Sequence, residues 1–307
     1  MKTVNSVSGG KSSGYLAVHY PADYDVFALV CLDDCRVKDE GLLRYAQEKL
    51  SGFYDEFGPV IGTAESDETL AAMRDLEQYI GREITWVRGP SFDRLLSGEW
   101  TAWGGGSKTR LPSWARRYCT AEMKLVPIFL WWWRNFGEAV EMRIGFRSEE
   151  FGRMMRYMHR SPWEFRFPTS CSLRGRRQMR WESFRWRQIS FPLIEHGVDQ
   201  RRVADYWAGA GWVKGDLFQE RRRVVFPSVS NCVGCFHKSV ELLAHMAEVE
   251  PEKMGWFAAQ EEKGMGRWKD KEITYQQIIE ARAALWKEVP AEIMADGETC
   301  AGGECTA

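Results

Sequence analysis

The first fourteen residues constrain the fold more than any other stretch of this chain. Lys2-Thr-Val-Asn-Ser-Val leads into Ser8-Gly9-Gly10-Lys11-Ser12-Ser13-Gly14 and then into a helix over Tyr15 to His19. Two glycines at a strand-to-helix turn let the backbone bend sharply and approach a ligand closely. The hydroxyls and the amides at the helix start are donors for an anion, and the helix dipole favours negative charge there. The stretch therefore reads as a phosphate cradle at the first strand-to-helix turn. The G-x-x-x-x-G-K-[ST] spacing of a Walker A loop is absent.

The next hundred or so residues continue the strand–helix alternation. Val26 to Leu32 is a continuous apolar run ending in Asp33-Asp34, as expected of a buried parallel strand with polar residues at its carboxyl end. Helices are predicted over Glu40–Leu50 and, after a Ser66/Asp67 start signal, over Glu68–Ile80. Strands are predicted at 60–62, Glu83–Val87, Val140–Phe146 and Ile189–Leu193. The fold class is thus α/β: an open, mostly parallel twisted sheet with helices on both faces. Its ligand belongs at the carboxyl ends of the strands, where the 8–13 loop and Asp33/Asp34 would both sit. Trp103 to Lys108 reads as a glycine-rich connector. Residues 1–230 form the nucleotide-binding domain, interrupted by an insertion at about 151–190. Residues 231–295 form a helical region (238–248, 253–262, 274–289), and 296–307 a cysteine-bearing tail.

Composition narrows the setting. A net charge of −1 on 307 residues gives no bulk attraction to polyanions, although fifteen Trp suggest aromatic surfaces as well as a core. No apolar run approaches a membrane span, because Phe129 to Trp133 is short and Arg134 follows at once. The strand-like start carries no signal-peptide pattern, so a cytoplasmic location is expected, with the eight cysteines reduced.

Four segments in order carry a family resemblance. The Ser8-Gly9-Gly10 loop resembles the Ser-Gly-Gly-x-Asp-Ser loop of the PP-loop ATP pyrophosphatases, with Ser12 where that family has Asp. Arg116-Arg117-Tyr-Cys119-Thr120-Ala-Glu-Met-Lys124-Leu-Val-Pro127 resembles the Arg-x-Cys-Thr-x-x-x-Lys-x-x-Pro segment of phosphoadenosine-phosphosulfate (PAPS) reductase-like proteins. Ile144-Gly145-Phe146-Arg147-Ser-Glu-Glu150-Phe-Gly-Arg153 looks like their Gly-Ile-Arg-x-x-Glu-x-x-Arg turn, and Phe191-Pro192-Leu193 with the helix after it like their Pro-Leu element. The resemblance covers roughly residues 1–255. It implies ATP with magnesium and release of pyrophosphate. It also implies phosphate contacts by Ser8, Gly9, Gly10, Lys11, Ser12, Ser13 and Gly145. Arg117, Lys124, Arg147 and Arg153 would meet the charge that develops as pyrophosphate leaves. Asp33, Asp34 or Glu40 would hold a ribose hydroxyl or magnesium.

Cys232-Val-Gly-Cys235 is a C-x-x-C with a glycine turn, suited to two thiolates on one metal. Cys119 lies in a segment where the family has cysteine ligands. An iron–sulfur cluster or zinc on Cys119, Cys232 and Cys235 is expected, with Cys171, His237 or one of the tail cysteines, Cys300 and Cys305, as fourth ligand. A redox pair is the other reading. Cys31, in an apolar strand, reads as a buried structural thiol. Residues 153–187 hold ten arginines against Glu164 and Glu182, interleaved with Trp163, Phe165, Phe167, Trp181, Phe184 and Trp186. A basic surface with stacking rings suits tRNA or DNA; a packed helical insertion or a protein-partner surface fits as well.

The resulting expectation is an adenylating enzyme that activates a substrate for sulfur or nitrogen transfer, with a sulfur-donor protein as a further partner. An adenylyl sulfate reductase is a close alternative, although its C-terminal Glu-Cys-Gly-x-His motif is missing. Ser12 in place of Asp leaves a third: a nucleotide-sensing or nucleic-acid-binding module without catalysis.

Overall fold

The computed structural model describes residues 1–98, 110–113, 117–159, 163–173, 176–210, 224–227, 232–269 and 273–285, without the side chains of 168–173, 176–179 and 210. The glycine-rich 103–108 stretch, Arg116, Arg174 and the tail cysteines lie outside the described residues.

In chain order the elements are β1 (Thr3–Val7), α1 (Lys11–His19), β2 (Tyr24–Leu29), β3 (Cys31–Arg36), α2 (Glu40–Lys49), α3 (Tyr54–Phe57), β4 (Gly62–Thr63), α4 (Asp67–Ile80), β5 (Ile84–Arg88) and α5 (Phe92–Ser97). After these come α6 (Tyr118–Thr120), a π turn at Ala121–Leu125, α7 (Val126–Asn135), β6 (Val140–Ile144) and α8 (Phe151–Met158). The rest are β7 (Glu164–Leu173), β8 (Arg176–Arg185), β9 (Arg187–Ser190), α9 (Pro192–Glu195), α10 (Gln200–Ala210), α11 (Val240–Val249), α12 (Pro251–Glu262) and α13 (Tyr275–Leu285).

Five strands pair in parallel in the order β5-β2-β1-β6-β9. The interior strand β2 sends apolar side chains to both sides, so both faces of the sheet need cover. Phe27 and Leu29 of β2 join one core with Leu16 of α1, Leu43 of α2, Met73 of α4 and Trp207 of α10. Val26 and Ala28 join another with Ile128, Phe129 and Trp132 of α7. The expected α/β class, with helices on both faces, is therefore present. Local chemistry sets the helix ends: Asp39, Ser66, Ser91 and Ser239 each cap a helix through the side chain.

Three expectations need correction. The run Val26–Leu32 is not one strand. β2 stops at Leu29, and β3 then pairs antiparallel with the two-residue β4, outside the main sheet. The strand expected at 60–62 is that short β4. The insertion is neither wholly helical nor wholly an insertion: β7 and β8 form an antiparallel ribbon, and β9 is the edge strand of the main sheet.

The C-terminal helices appear where the sequence puts them, within the described residues. They pack on the segment between β2 and β3, on β3 and on α5, since Val30, Leu32 and Phe92 share one cluster with Leu243, Phe257, Trp268 and Tyr275. No helix among the described residues is long and apolar enough to cross a membrane.

Candidate functional site

The sheet reverses its winding between β1 and β6. A crevice at the carboxyl ends of two such strands is where ligands of open α/β sheets bind. β1 delivers the Ser8–Ser13 turn there. Gly9 sits at φ +79°, and a Cβ on it would stand 2.5 Å from the Thr69 methyl of α4. Only glycine meets both demands. Gly10 is the N-cap of α1 in an extended conformation, with no side-chain cap. Ser13 organises the turn: its Oγ donates to the Gly10 carbonyl (2.9 Å) and accepts from the Ser8 amide (3.1 Å).

β6 delivers Gly145, where a Cβ would come within 3.2 Å of the Ser12 carbonyl oxygen, so the two chain segments touch at backbone distance. Arg147 follows, and its Nη1 donates to Ser12 Oγ (3.1 Å). Its Nε meets Glu149 (2.7 Å), and its backbone amide donates to Glu150 (2.9 Å). Arg147 thus reaches the cradle already held by two carboxylates. Arg153 pairs with Glu150 and lies over the Phe146 ring at 4.2 Å. Lys11 is half-buried at the mouth of the turn.

A second constellation lies beside the first. One cavity is lined by Arg117, Cys119, Lys124, Cys232, Cys235 and His237 together with Phe92, Phe257 and Trp268. Lys124 stands on the π turn that leads into α7. Pro127 has no amide to close the regular i→i−4 bond there, so a slipped ladder is the natural outcome. The C-x-x-C forms a tight turn in which the Cys235 amide donates to the Cys232 carbonyl (3.1 Å) and Lys238 Nζ caps that same carbonyl (2.6 Å).

Burial pushes the Cys119 thiol up to about 11, with the nearby Cys235 adding to the effect. Cys232 is raised well above the ordinary range by burial and then by the Glu65 carboxylate, against the pull of Lys124. Both thiols are therefore neutral near pH 7 unless a bound metal cation displaces their protons to solvent. Among the described residues no three His, Cys, Asp or Glu side chains converge on one metal position. The three expected thiols do face a common cavity with two cations beside them.

The fourth-ligand candidates separate. His237 lines the cavity. Cys171 lies on β7, with its backbone opposite Gln178 in the ribbon, and its side chain is outside what the structure describes.

Asp33 and Asp34 are corrected with their strand. The Asp33 amide donates to Asp93 (2.8 Å), and Asp34 borders a groove with Trp256, Glu252 and Lys263 of the C-terminal region. Neither lies at the end of a parallel strand. Glu40, at the start of α2, pairs with Arg36 (2.8 Å).

The residue that sequence reasoning missed is Glu65. It is 1% exposed; its Oε2 accepts from the Val30 amide (3.2 Å) and Thr63 Oγ1 (2.7 Å), while Oε1 stands 3.7 Å from Lys124 Nζ. Lys253 of α12 donates to its carbonyl (2.8 Å) and to Asp67 (2.9 Å). Segment 65–69 so links the thiol cavity, through Glu65, to the cradle, through Thr69. An acid directly before the Ser66 cap was the available signal.

No family model, no curated protein and no solved structure matches this chain.

Proposed function

We propose that this chain is an ATP-dependent adenylating enzyme of the PAPS-reductase-like PP-loop group. The observation that carries the reading is the meeting of the Ser8–Ser13 turn with Gly145 and Arg147 at the point where the sheet reverses its winding. A triphosphate laid on the α1 N-terminus would meet backbone amides, two serine hydroxyls and one guanidinium.

An acceptor oxygen attacks the α-phosphorus. The bond from that phosphorus to the bridging oxygen breaks, pyrophosphate leaves with the electron pair, and the acceptor is left as its adenylate. A sulfur or nitrogen nucleophile then displaces AMP. Lys124 and Arg117, in the adjoining cavity, offset the developing charge, and Glu65 holds the Lys124 ammonium in place. Magnesium enters with the triphosphate. Cys119, Cys232 and Cys235, with His237 as the fourth candidate, are the residues that would hold an iron–sulfur cluster or zinc. When bound, a cluster with three thiolate ligands would supply an open iron position for sulfur chemistry. A sulfur-donor protein would feed that step.

Product analysis tests the reaction type. With ATP, magnesium, sulfide and duplex DNA or tRNA as acceptor, the products should be AMP and pyrophosphate; ADP and orthophosphate would overturn the reading. Lys124→Ala should lower kcat by about 10²–10³ with little change in ATP affinity, because its charge acts chiefly in the transition state.

A further inference from the structure

We propose that Glu149 is a positioning residue that aims the Arg147 guanidinium at the anion held by the Ser8–Ser13 turn. This deepens the adenylation reading, and it rests on that reading for the identity of the anion as a triphosphate.

The turn between β6 and α8 carries two adjacent carboxylates with different partners. Glu150 holds the main chain: its Oε2 accepts from the Arg147 amide (2.9 Å), and its Oε1 pairs with Arg153. It stands 3.7 Å from Arg147 Nε. Glu149 holds the side chain, because its Oε1 accepts from Arg147 Nε at 2.7 Å. A guanidinium is planar, and Nε joins that plane to the aliphatic stem. A hydrogen bond at Nε therefore restrains rotation about the last bond of the stem and fixes where the terminal nitrogens point. Nη1 points to Ser12 Oγ at 3.1 Å. The motif resemblance gives roles to Arg147 and Arg153 and leaves position 149 open.

The carboxylate is itself held. The same Oε1 accepts from the amide of Gln200 (3.1 Å), the first residue of α10, where the helix dipole favours negative charge. Farther along α10, Trp207 Nε1 donates to the Lys11 carbonyl (2.9 Å). These bonds form a circuit that leaves α1 at Lys11, runs along α10 to Glu149 and Arg147, and returns to α1 at Ser12. Lys11 and Ser12 open the helix whose amides make the cradle. The Arg147 side chain is 9% exposed and that of Glu149 41%, so the cation is enclosed at the cradle while the carboxylate reaches solvent. An unrestrained arginine loses rotamer freedom when it grips a ligand. Here that loss precedes the ligand, which favours binding.

The carboxylate has two opposed effects on an anion. Its charge works against the ligand, and its hydrogen bond orients the guanidinium. Both the Arg147 and the Gln200 bonds end on one oxygen, so glutamine can keep them while removing the charge. Alanine removes bond and charge together.

The test is calorimetric titration of ATP, with magnesium, into the full chain and its variants, each checked by its melt. Glu149→Ala should weaken ATP binding about three- to tenfold, the effect of re-ordering one long side chain. Glu149→Gln should bind at least as tightly as wild type. Arg147→Ala should weaken binding at least about tenfold, and adding Glu149→Ala to it should change affinity by less than about twofold, because no guanidinium remains to be aimed. Arg147→Lys keeps the charge without an Nε, and should be equally indifferent to Glu149→Ala; it serves if Arg147→Ala does not fold. Losses that add in the double variants would mean that Glu149 acts on the fold and not through Arg147, and would overturn the proposal. A Gln variant as weak as Ala, or an Ala variant as tight as wild type, would overturn it as well. Those outcomes leave ATP binding and the AMP-plus-pyrophosphate test untouched, whereas failure of wild type to bind ATP would remove the adenylation reading and this proposal with it.

Discussion

At the scale of single residues, burial sets the chemistry of the thiols. Cys31 is enclosed at the start of β3, and burial pushes its thiol from an ordinary 9.0 up to about 12. In the unfolded chain that thiol ionises from about pH 9, whereas in the folded protein it stays neutral until about 12. The contribution is therefore fully present below pH 9 and is lost as pH rises through that window, at up to about 1.4 kcal/mol per unit. Cys31→Ala should flatten the alkaline fall in stability measured by denaturant titration between about pH 9 and 11. An unchanged pH dependence would contradict the assigned burial. This buried thiol was legible in the sequence, because Cys31 sits among apolar neighbours. The placement of Asp33 and Asp34 was not, since nothing local marks the break in the strand between Leu29 and Cys31. Glu65 was also hidden: its role depends on Val30, Thr63 and Lys124, which only the tertiary fold brings together.

Among the elements, the sheet and its capped helices were readable because apolar runs and cap residues are local signals. Ser66 sets the start of α4 as expected, whereas α1 starts at Lys11, directly after the glycine turn and ahead of the expected Tyr15. The β7–β8 ribbon also carried a local signal, the alternation of Phe165 with Phe167 and of Phe184 with Trp186, which the density of arginine obscured. The alternation decides which rings are core. Trp186 is buried with its indole nitrogen unpartnered, whereas Trp181 is 44% exposed. Trp186→Ala should destabilise the fold by about 3–5 kcal/mol. Trp181→Ala should change stability by no more than about 0.5 kcal/mol. Equal losses in thermal or denaturant melts would mean that the two faces of the ribbon are assigned wrongly.

Across the whole molecule, two sites share the carboxyl edge of one sheet. The cradle is built by β1, β6 and α4, and the thiol cavity by the π turn and the C-x-x-C. The 65–69 segment joins them, and Lys253 ties α12 to that segment. Under the proposed function, a triphosphate on the cradle beside the thiol cavity would let activation of an acceptor and delivery of sulfur occur without the substrate travelling far. The metal half is checked by anaerobic purification: iron and sulfide with a brown chromophore, lost in Cys235→Ser, are expected. Stoichiometric zinc would make the thiols a zinc site, and no metal at all would remove that half of the account. The central claim is that the Ser8–Ser13 turn binds the triphosphate, and calorimetric titration of ATP into wild type and Gly10→Val tests it most directly. Gly10 has φ −102° and ψ 164°, a conformation that valine adopts without strain, so the variant should fold as judged by its melt. Its branched side chain would stand at the α1 N-terminus, where the phosphates are placed. The account predicts ATP binding by wild type and at least a tenfold loss, about 1.4 kcal/mol, in the variant; equal affinity in the two proteins would contradict it.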